Sequence, residues 1–429
     1  MIVKDELLKE VHLLKENFLA DLKKIVQIES VKSEPASGAP FGKGPKAALV
    51  QMLEIAQRLG FETRMVADAI GYAQLGEGSD YFGVIGHLDV VPAGKMEAWD
   101  YPPFEVTEVD DTLYGRGVLD NKGPIMACLY GLYILKRLEV PLSKPIRVLF
   151  GTDEESGSAD IGMYLVHEKP PVFGFTPDCK YPVVYGEMGV MNLTVAYEIK
   201  DGTHDQIASL HGDFHPSKIP DYLSVQLIEG YHEFKGNPAP SNAPELGENV
   251  ILKLAHQFKH LKGDLGRALS WIDEKFADVA DGKEPFGFGK RVILVPYNVQ
   301  LDHKKLKLDV GIRYDVNLTQ DEILDQLNAN LLPRQELHIN RAMPSVVTDP
   351  STPEIQALSK AYEELTGLDG TPVTTTGSTY ARWMPNIVAF GPSFPGQKGA
   401  AHVPNEWIEI SDLMKNFEIY TLAMYELAK

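Results

Sequence analysis

Cysteine is nearly absent from this chain: Cys128 and Cys179 are the only two in 429 residues. Two thiols cannot build a disulfide framework, so nothing in the cysteine usage asks for an oxidising compartment. Basic charge is scarce too, with 41 Lys and Arg against 60 Asp and Glu and a formal net charge of −19. That balance argues against a nucleic acid or an anionic membrane surface as principal partner. Long apolar runs are missing: no segment approaches the ~20 residues needed to span a bilayer. Met1 leads into Lys4-Asp5-Glu6 without the apolar core of a signal peptide. Internal repeats and low-complexity tracts are lacking as well. The expectation is a soluble cytoplasmic protein of two or three ordinary globular domains.

What is present begins with helical and strand-like segments in alternation. Leu7, Leu8, Val11, Leu14, Phe18, Leu22 and Ile25 recur with a helical period over residues 4–28. A Gly/Pro-rich loop over 37–45 precedes a second helix over 46–59. Strand-like runs follow at 61–66, 72–75 and 81–85, the last leading into Gly86-His87-Leu88-Asp89-Val90. A helix is expected from near Pro124 through Leu135, because proline suits a first helical turn. The run 146–151 ends directly in Thr152-Asp153-Glu154-Glu155, and the run 173–177 ends in Asp178. Strands alternating with helices point to an α/β domain with a mostly parallel central sheet.

The texture changes near residue 188. Strand-like segments at 191–197 and 305–313, with helical runs at 249–260, 264–277 and 319–332, suggest a separate α+β domain. A helix over 352–365 then resumes the earlier style. The simplest architecture is one α/β domain, residues 1–187 and 343–429, interrupted by an inserted α+β lid domain over 188–342.

His87, Asp120, Glu155, Asp178 and His402 form the constellation that carries chemistry. Residues two apart on a strand face the same side, so His87 and Asp89 project together from the end of theirs. Three consecutive carboxylates at a buried strand end are costly unless solvated or bound to a cation. They sit where α/β sheets place ligands, beyond the carboxyl ends of strands. Two histidines and three carboxylates suit a pair of zinc ions, and the absence of thiolate ligands favours a hydrolytic over a structural site. Two such ions would acidify a water and polarise a carbonyl. Glu154, beside a ligand, is placed to be the general base.

Three segments resemble the signatures of the dinuclear-zinc metallopeptidases, the family of aminoacylase, carnosinase and glutamate carboxypeptidase. They are Gly86-His87-Leu88-Asp89-Val90-Val91-Pro92, Gly115-Arg116-Gly117-Val118-Leu119-Asp120-Asn121-Lys122-Gly123 and Asp153-Glu154-Glu155-Ser156-Gly157. Phe175-Thr176-Pro177-Asp178, the run 182–187 and Phe394-Pro395-Gly396-Gln397 before His402 look closest to the bacterial dipeptidase branch, PepV. The resemblance implies that Asp120 bridges two zinc ions, with cobalt or manganese as possible substitutes. His87 and Asp178 would complete one ion, and Glu155 and His402 the other. Asp89 would orient and tune His87, and Glu154 would activate water. Arg313 with Gly377, Ser378 and Thr379 would hold the terminal carboxylate of a small peptide or amide substrate. The protein is expected to be a monomer or homodimer.

The same resemblance asks the inserted domain for a histidine and an asparagine, and here Pro240 and Ser217 stand in their places. A proline side chain can neither donate a hydrogen bond nor carry charge. His211, His215 and His232 lie nearby in sequence. Three readings follow: a dinuclear zinc dipeptidase, an N-acyl amino acid amidohydrolase, or a metal-binding relative with weak or lost activity.

Overall fold

The computed structural model describes residues 4–276, 286–397 and 400–429. It divides into two compact units. The first comprises Met1–Gly186, Thr348–Thr374 and Ser378–Lys429, and the second Glu187–Val347 with Thr375–Gly377. The three residues 375–377 thus join the inserted unit from far along the chain, a return that no local pattern announces.

In the first unit, helices α1 (Lys4–Val26) and α2 (Lys43–Arg58) precede strands β1 (Glu62–Val66), β2 (Ile70–Leu75) and β3 (Phe82–His87). Helix α3 (Lys122–Arg137), β4 (Ile146–Gly151) and β5 (Phe173–Thr176) follow. The sheet order is β1-β2-β4-β3-β5 and then Ile387–Ala389. Strands β4, β3, β5 and Ile387–Ala389 run parallel, and the β1 and β2 margin is antiparallel. The sheet is therefore parallel at its centre, where all six residues of β3 and of β4 are buried and both faces are covered.

Helix α3 covers one face and is buried almost all round. It packs beneath α1 and the helix Ile410–Ala428, where Phe18 meets Tyr130 at 5.7 Å and Phe417 at 5.3 Å between ring centroids. Gly86 is small for a packing reason: a Cβ there would collide with Asn121 Oδ1 and Ile125 at the start of α3. That close approach brings the helix entry against the strand end that bears His87.

The second unit holds a four-stranded antiparallel sheet in the order Val292–Asp302, Lys305–Tyr314, Gly189–Glu198, Gln335–Met343. Burial alternates residue by residue along Gly189–Glu198, the period of a sheet with one covered face. Helices Val250–Phe258, Gly263–Phe276 and Gln320–Ala329 supply the apolar partners, the last started by a Thr319–Glu322 capping box. The expected end of the middle helix at Ala277 lies outside the described residues. A further three-stranded sheet, Ile207–Gly212, Tyr222–Leu227 and Gly230–Lys235, was not foreseen from the sequence. Among the described residues no helix is long and apolar enough to cross a membrane.

Candidate metal centre

Parallel pairing sets the site. His87 ends β3 in register with Gly151 of β4, and Val84 is in register with Phe175 of β5. Three carboxyl ends therefore lie side by side, and the chain leaving them delivers His87, then Asp153-Glu154-Glu155, then Asp178. Asp120 joins from the turn before α3, and His402 from the loop before the last helix. The Asp120–Asn121 peptide bond is cis.

His87 is fully buried, and its Nδ1 lies 2.8 Å from the Asp89 carbonyl oxygen. A carbonyl can only accept, so Nδ1 carries the proton and Nε2 points onward to Asp120 Oδ1 at 2.9 Å and Asp178 Oδ2 at 3.5 Å. The other oxygen of Asp120 is 3.0 Å from His402 Nε2, which also meets Glu155 Oε1 at 2.9 Å. Asp120 thus presents one oxygen to each imidazole. Donor atoms of His87, Glu154 and Asp178 lie within 4.8 Å of one another, as do those of His87, Asp120 and Glu155. All five expected ligands and Glu154 converge.

Charge in this cluster is lopsided. Burial, and then the neighbouring Asp178, hold the Glu154 carboxyl well above the usual carboxylate range. Burial and Asp120 likewise raise Glu155 and push Asp178 up to about 7. Burial works to raise Asp120 as well, but hydrogen bonds from His402 and His87 outweigh it and hold that acid low. His402 is pushed up to about 11 by its bonds to Asp120 and Glu155. For His87 burial opposes the charge, yet Asp178 and Asp120 outweigh it. The acids therefore need positive charge among them. Divalent cations would supply that compensation, and imidazole and carboxylate donors without thiolate suit them. The residues fit a metal pair.

The sequence matches the profile of Peptidase family M20/M25/M40 over residues 83–426. The chain belongs to this family. It is a metallopeptidase, with a mixed α/β unit bearing the donors and a second unit inserted into it. YtjP of Bacillus subtilis (strain 168) is 30% identical, over 97% of this chain and 98% of that one. The Beta-Ala-Xaa dipeptidase of Lactobacillus delbrueckii subsp. lactis is 29% identical, over 97% of each. Human carnosine dipeptidase 1 shares the fold, with a TM-score of 0.60 at 16% identity over 99% of both chains.

Around the donors of this M20 peptidase lie several buried polar residues, most of them given no role by the sequence. Asn121, buried, donates from Nδ2 to the Pro177 carbonyl at 2.5 Å and lies 3.4 Å from Asp178 Oδ1. Asp160 accepts from the Thr152 and Asp153 N–H groups and from the Tyr380 hydroxyl, at 2.8, 3.2 and 2.5 Å. Asp153 is paired with Lys32 at 2.6 Å. Glu406 is buried, and one of its oxygens accepts from Gly117, Leu119 and Asp120. Asp89 has a larger part than expected. Its carboxylate is 3.5 Å from His87 Nδ1, but accepts from the Glu154 N–H at 3.2 Å and the Glu155 N–H at 3.1 Å.

The expected substrate residues are placed less compactly. Arg313, on Lys305–Tyr314, donates to the Thr376 carbonyl at 2.6 Å, next to Gly377, whose N–H meets Thr375 Oγ1. Ser378 Oγ accepts from Arg382, and Thr379 caps the short turn Tyr380–Arg382. In the second unit Ser217 and Pro240 lie on adjoining segments. Lys218 pairs with Pro240, and the Ser241 N–H donates to the Ser217 carbonyl at 2.9 Å. Ser217 Oγ is 2.6 Å from His215 Nδ1. Gly399, in the expected motif before His402, lies outside the described residues.

Proposed function

We propose that this M20 peptidase is a two-metal dipeptidase that hydrolyses the amide bond of dipeptides or similarly small substrates. The observation that carries the reading is Asp120, whose two oxygens face two different imidazoles at 2.9 and 3.0 Å. That is the arrangement a bridging carboxylate needs. His87 and Asp178 would hold one zinc ion and Glu155 and His402 the other, with cobalt or manganese as substitutes. When bound, the ions supply Lewis-acid polarisation of the scissile carbonyl and make the attacking water more acidic.

The chain's own groups do the rest. Glu154 takes the proton of the attacking water on a carboxylate oxygen and returns it to the leaving amine. Its burial and the nearby Asp178 favour that protonated intermediate state. Asp89 fixes the turn that aims Glu154, and the Asp89 carbonyl fixes the ring of His87. Arg313, Gly377, Ser378 and Thr379 are the groups proposed for the substrate's terminal carboxylate, to which a guanidinium and backbone N–H groups are suited.

The test is metal analysis of the purified protein beside a panel of dipeptides and N-acetyl amino acids. About two divalent ions per chain and preferential cleavage of dipeptides are expected. Hydrolysis that survives complete chelation would overturn the reading. A second reading, an N-acyl amino acid amidohydrolase or a metal-binding relative with weak or lost activity, is favoured by Pro240 and Ser217, which stand where the family resemblance asks for a histidine and an asparagine. Turnover confined to the N-acetyl compounds, or metal binding without turnover, would select it.

A further inference from the structure

Glu406 follows His402 by four positions and is completely buried. Its Oε1 accepts backbone N–H groups from Gly117 at 2.9 Å, Leu119 at 3.1 Å and Asp120 at 3.1 Å. Its Oε2 receives Arg116 at 2.7 Å, and its carbonyl accepts the Gly115 N–H at 2.9 Å. The turn over residues 115–120 is therefore held at five donors by one residue of the His402 loop. Arg116 is also buried, so nothing from solvent can take the place of either partner.

We propose that Glu406 is a positioning residue of the metal centre, tying the turn that aims Asp120 to the loop that aims His402. The inference rests on the two-metal reading and adds to it the device that sets the spacing of two donors from distant parts of the chain. The backbone of the His402 loop needs such a device. His402 and Asn405 both adopt left-handed conformations, with φ of 65° and 58°; asparagine enters that region readily, but for histidine it costs energy that its surroundings must offset. Asn405 is fixed by Asp100 at 2.8 Å, and Glu406 fixes the other end of the loop. The chemistry asks for a carboxylate. An amide oxygen could still accept three N–H groups, but its NH₂ would then face the Arg116 guanidinium, donor against donor.

The test compares wild type, Glu406→Gln and Glu406→Asp, each prepared metal-free and titrated with cobalt(II) chloride by calorimetry and visible absorption. Glu406→Gln is expected to bind 10- to 100-fold more weakly, as for other residues that hold a ligand in place, and to shift the cobalt absorption bands. Glu406→Asp, which keeps both acceptors, is expected to lie between it and wild type. If packing were its whole role, the near-isosteric Gln would match wild type and the shorter Asp would be worse; that order overturns the inference. Should Glu406→Gln fail to fold, Glu406→Asp carries the test alone, and wild-type affinity and bands in it overturn the proposal. Wild type that binds no cobalt overturns the two-metal reading itself, whereas two ions bound equally by wild type and Glu406→Gln overturn only the part given to Glu406.

Discussion

The carboxylate of Asp89 receives the backbone N–H of Glu154 at 3.2 Å, while its other oxygen receives that of Glu155 at 3.1 Å. Two residues beyond the strand end, one buried acid thus fixes the turn that carries the proposed base and a proposed ligand. Asp89→Asn retains one acceptor and turns an NH₂ toward the second N–H. Its kcat is expected to fall about 100-fold, within the range for lost positioning groups, with KM changed less than about threefold. Steady-state kinetics on a dipeptide check this, and a change confined to KM would contradict it.

Removing the carboxyl of Glu154 separates catalysis from metal binding. Glu154→Ala is expected to lose about 10³-fold in kcat, inside the range for general acid–base groups. Metal content by elemental analysis should stay at the wild-type value, since the proposed ligands all remain. A variant that loses metal in proportion to activity would make Glu154 a ligand rather than a base.

Chelation should abolish hydrolysis and lower thermal stability together. A ligand present at about 100 times its Kd stabilises the folded state by roughly 2.7 kcal/mol. The expected outcome is a fall in Tm of a few degrees on adding a chelator, reversed by zinc, cobalt or manganese. Scanning fluorimetry with and without the metal checks it.

Acid should weaken the second unit through Asp264. This buried carboxylate accepts from Arg334 at 2.6 and 2.9 Å and from the Lys200 N–H at 2.8 Å. Its bond to Arg334 leads the forces that hold it below the usual range, against the opposing effect of burial. A folded pKa below the unfolded one means that the folded state binds fewer protons in that window. The stabilisation is complete above the unfolded value of 3.8 and is lost as pH falls from there toward the folded value. Asp264→Asn should cost about 2 kcal/mol near neutrality and flatten the acid limb of the unit's unfolding transition. Urea melts from acid to neutral pH read both.

What the sequence made legible was local. The apolar runs 81–85, 146–151 and 173–177 announced strands, and the acids beyond them announced a site, because parallel strands align their carboxyl ends. Asp120 was readable from its place in the run 115–123, shortly before the helix expected near Pro124. Glu406 and Asn121 were not, because their partners lie far away in the chain: Glu406 meets Asp120 across 286 positions and Asn121 meets Pro177 across 56. The reason for Gly86 was hidden for the same cause, since the atoms it makes room for belong to Asn121 and Ile125. The helix Ile410–Ala428 is buried on most sides, so its sequence lacks the polar stripe that marks an amphipathic helix. The three-stranded sheet over 207–235 has the opposite trouble. Tyr222, Ile228 and Tyr231 are exposed, which blurs the apolar alternation.

The division of the chain has a consequence for the order of events at the ribosome. Residues 187–347 emerge as one uninterrupted stretch, and almost the whole second unit is contained in it. The first unit must wait: β3 and His87 are made early, but His402, Glu406 and the helix that closes over α3 come at the far end of the chain. During translation the early half-sheet with its exposed apolar edge is therefore an unfinished surface, in need of protection until the last segment arrives.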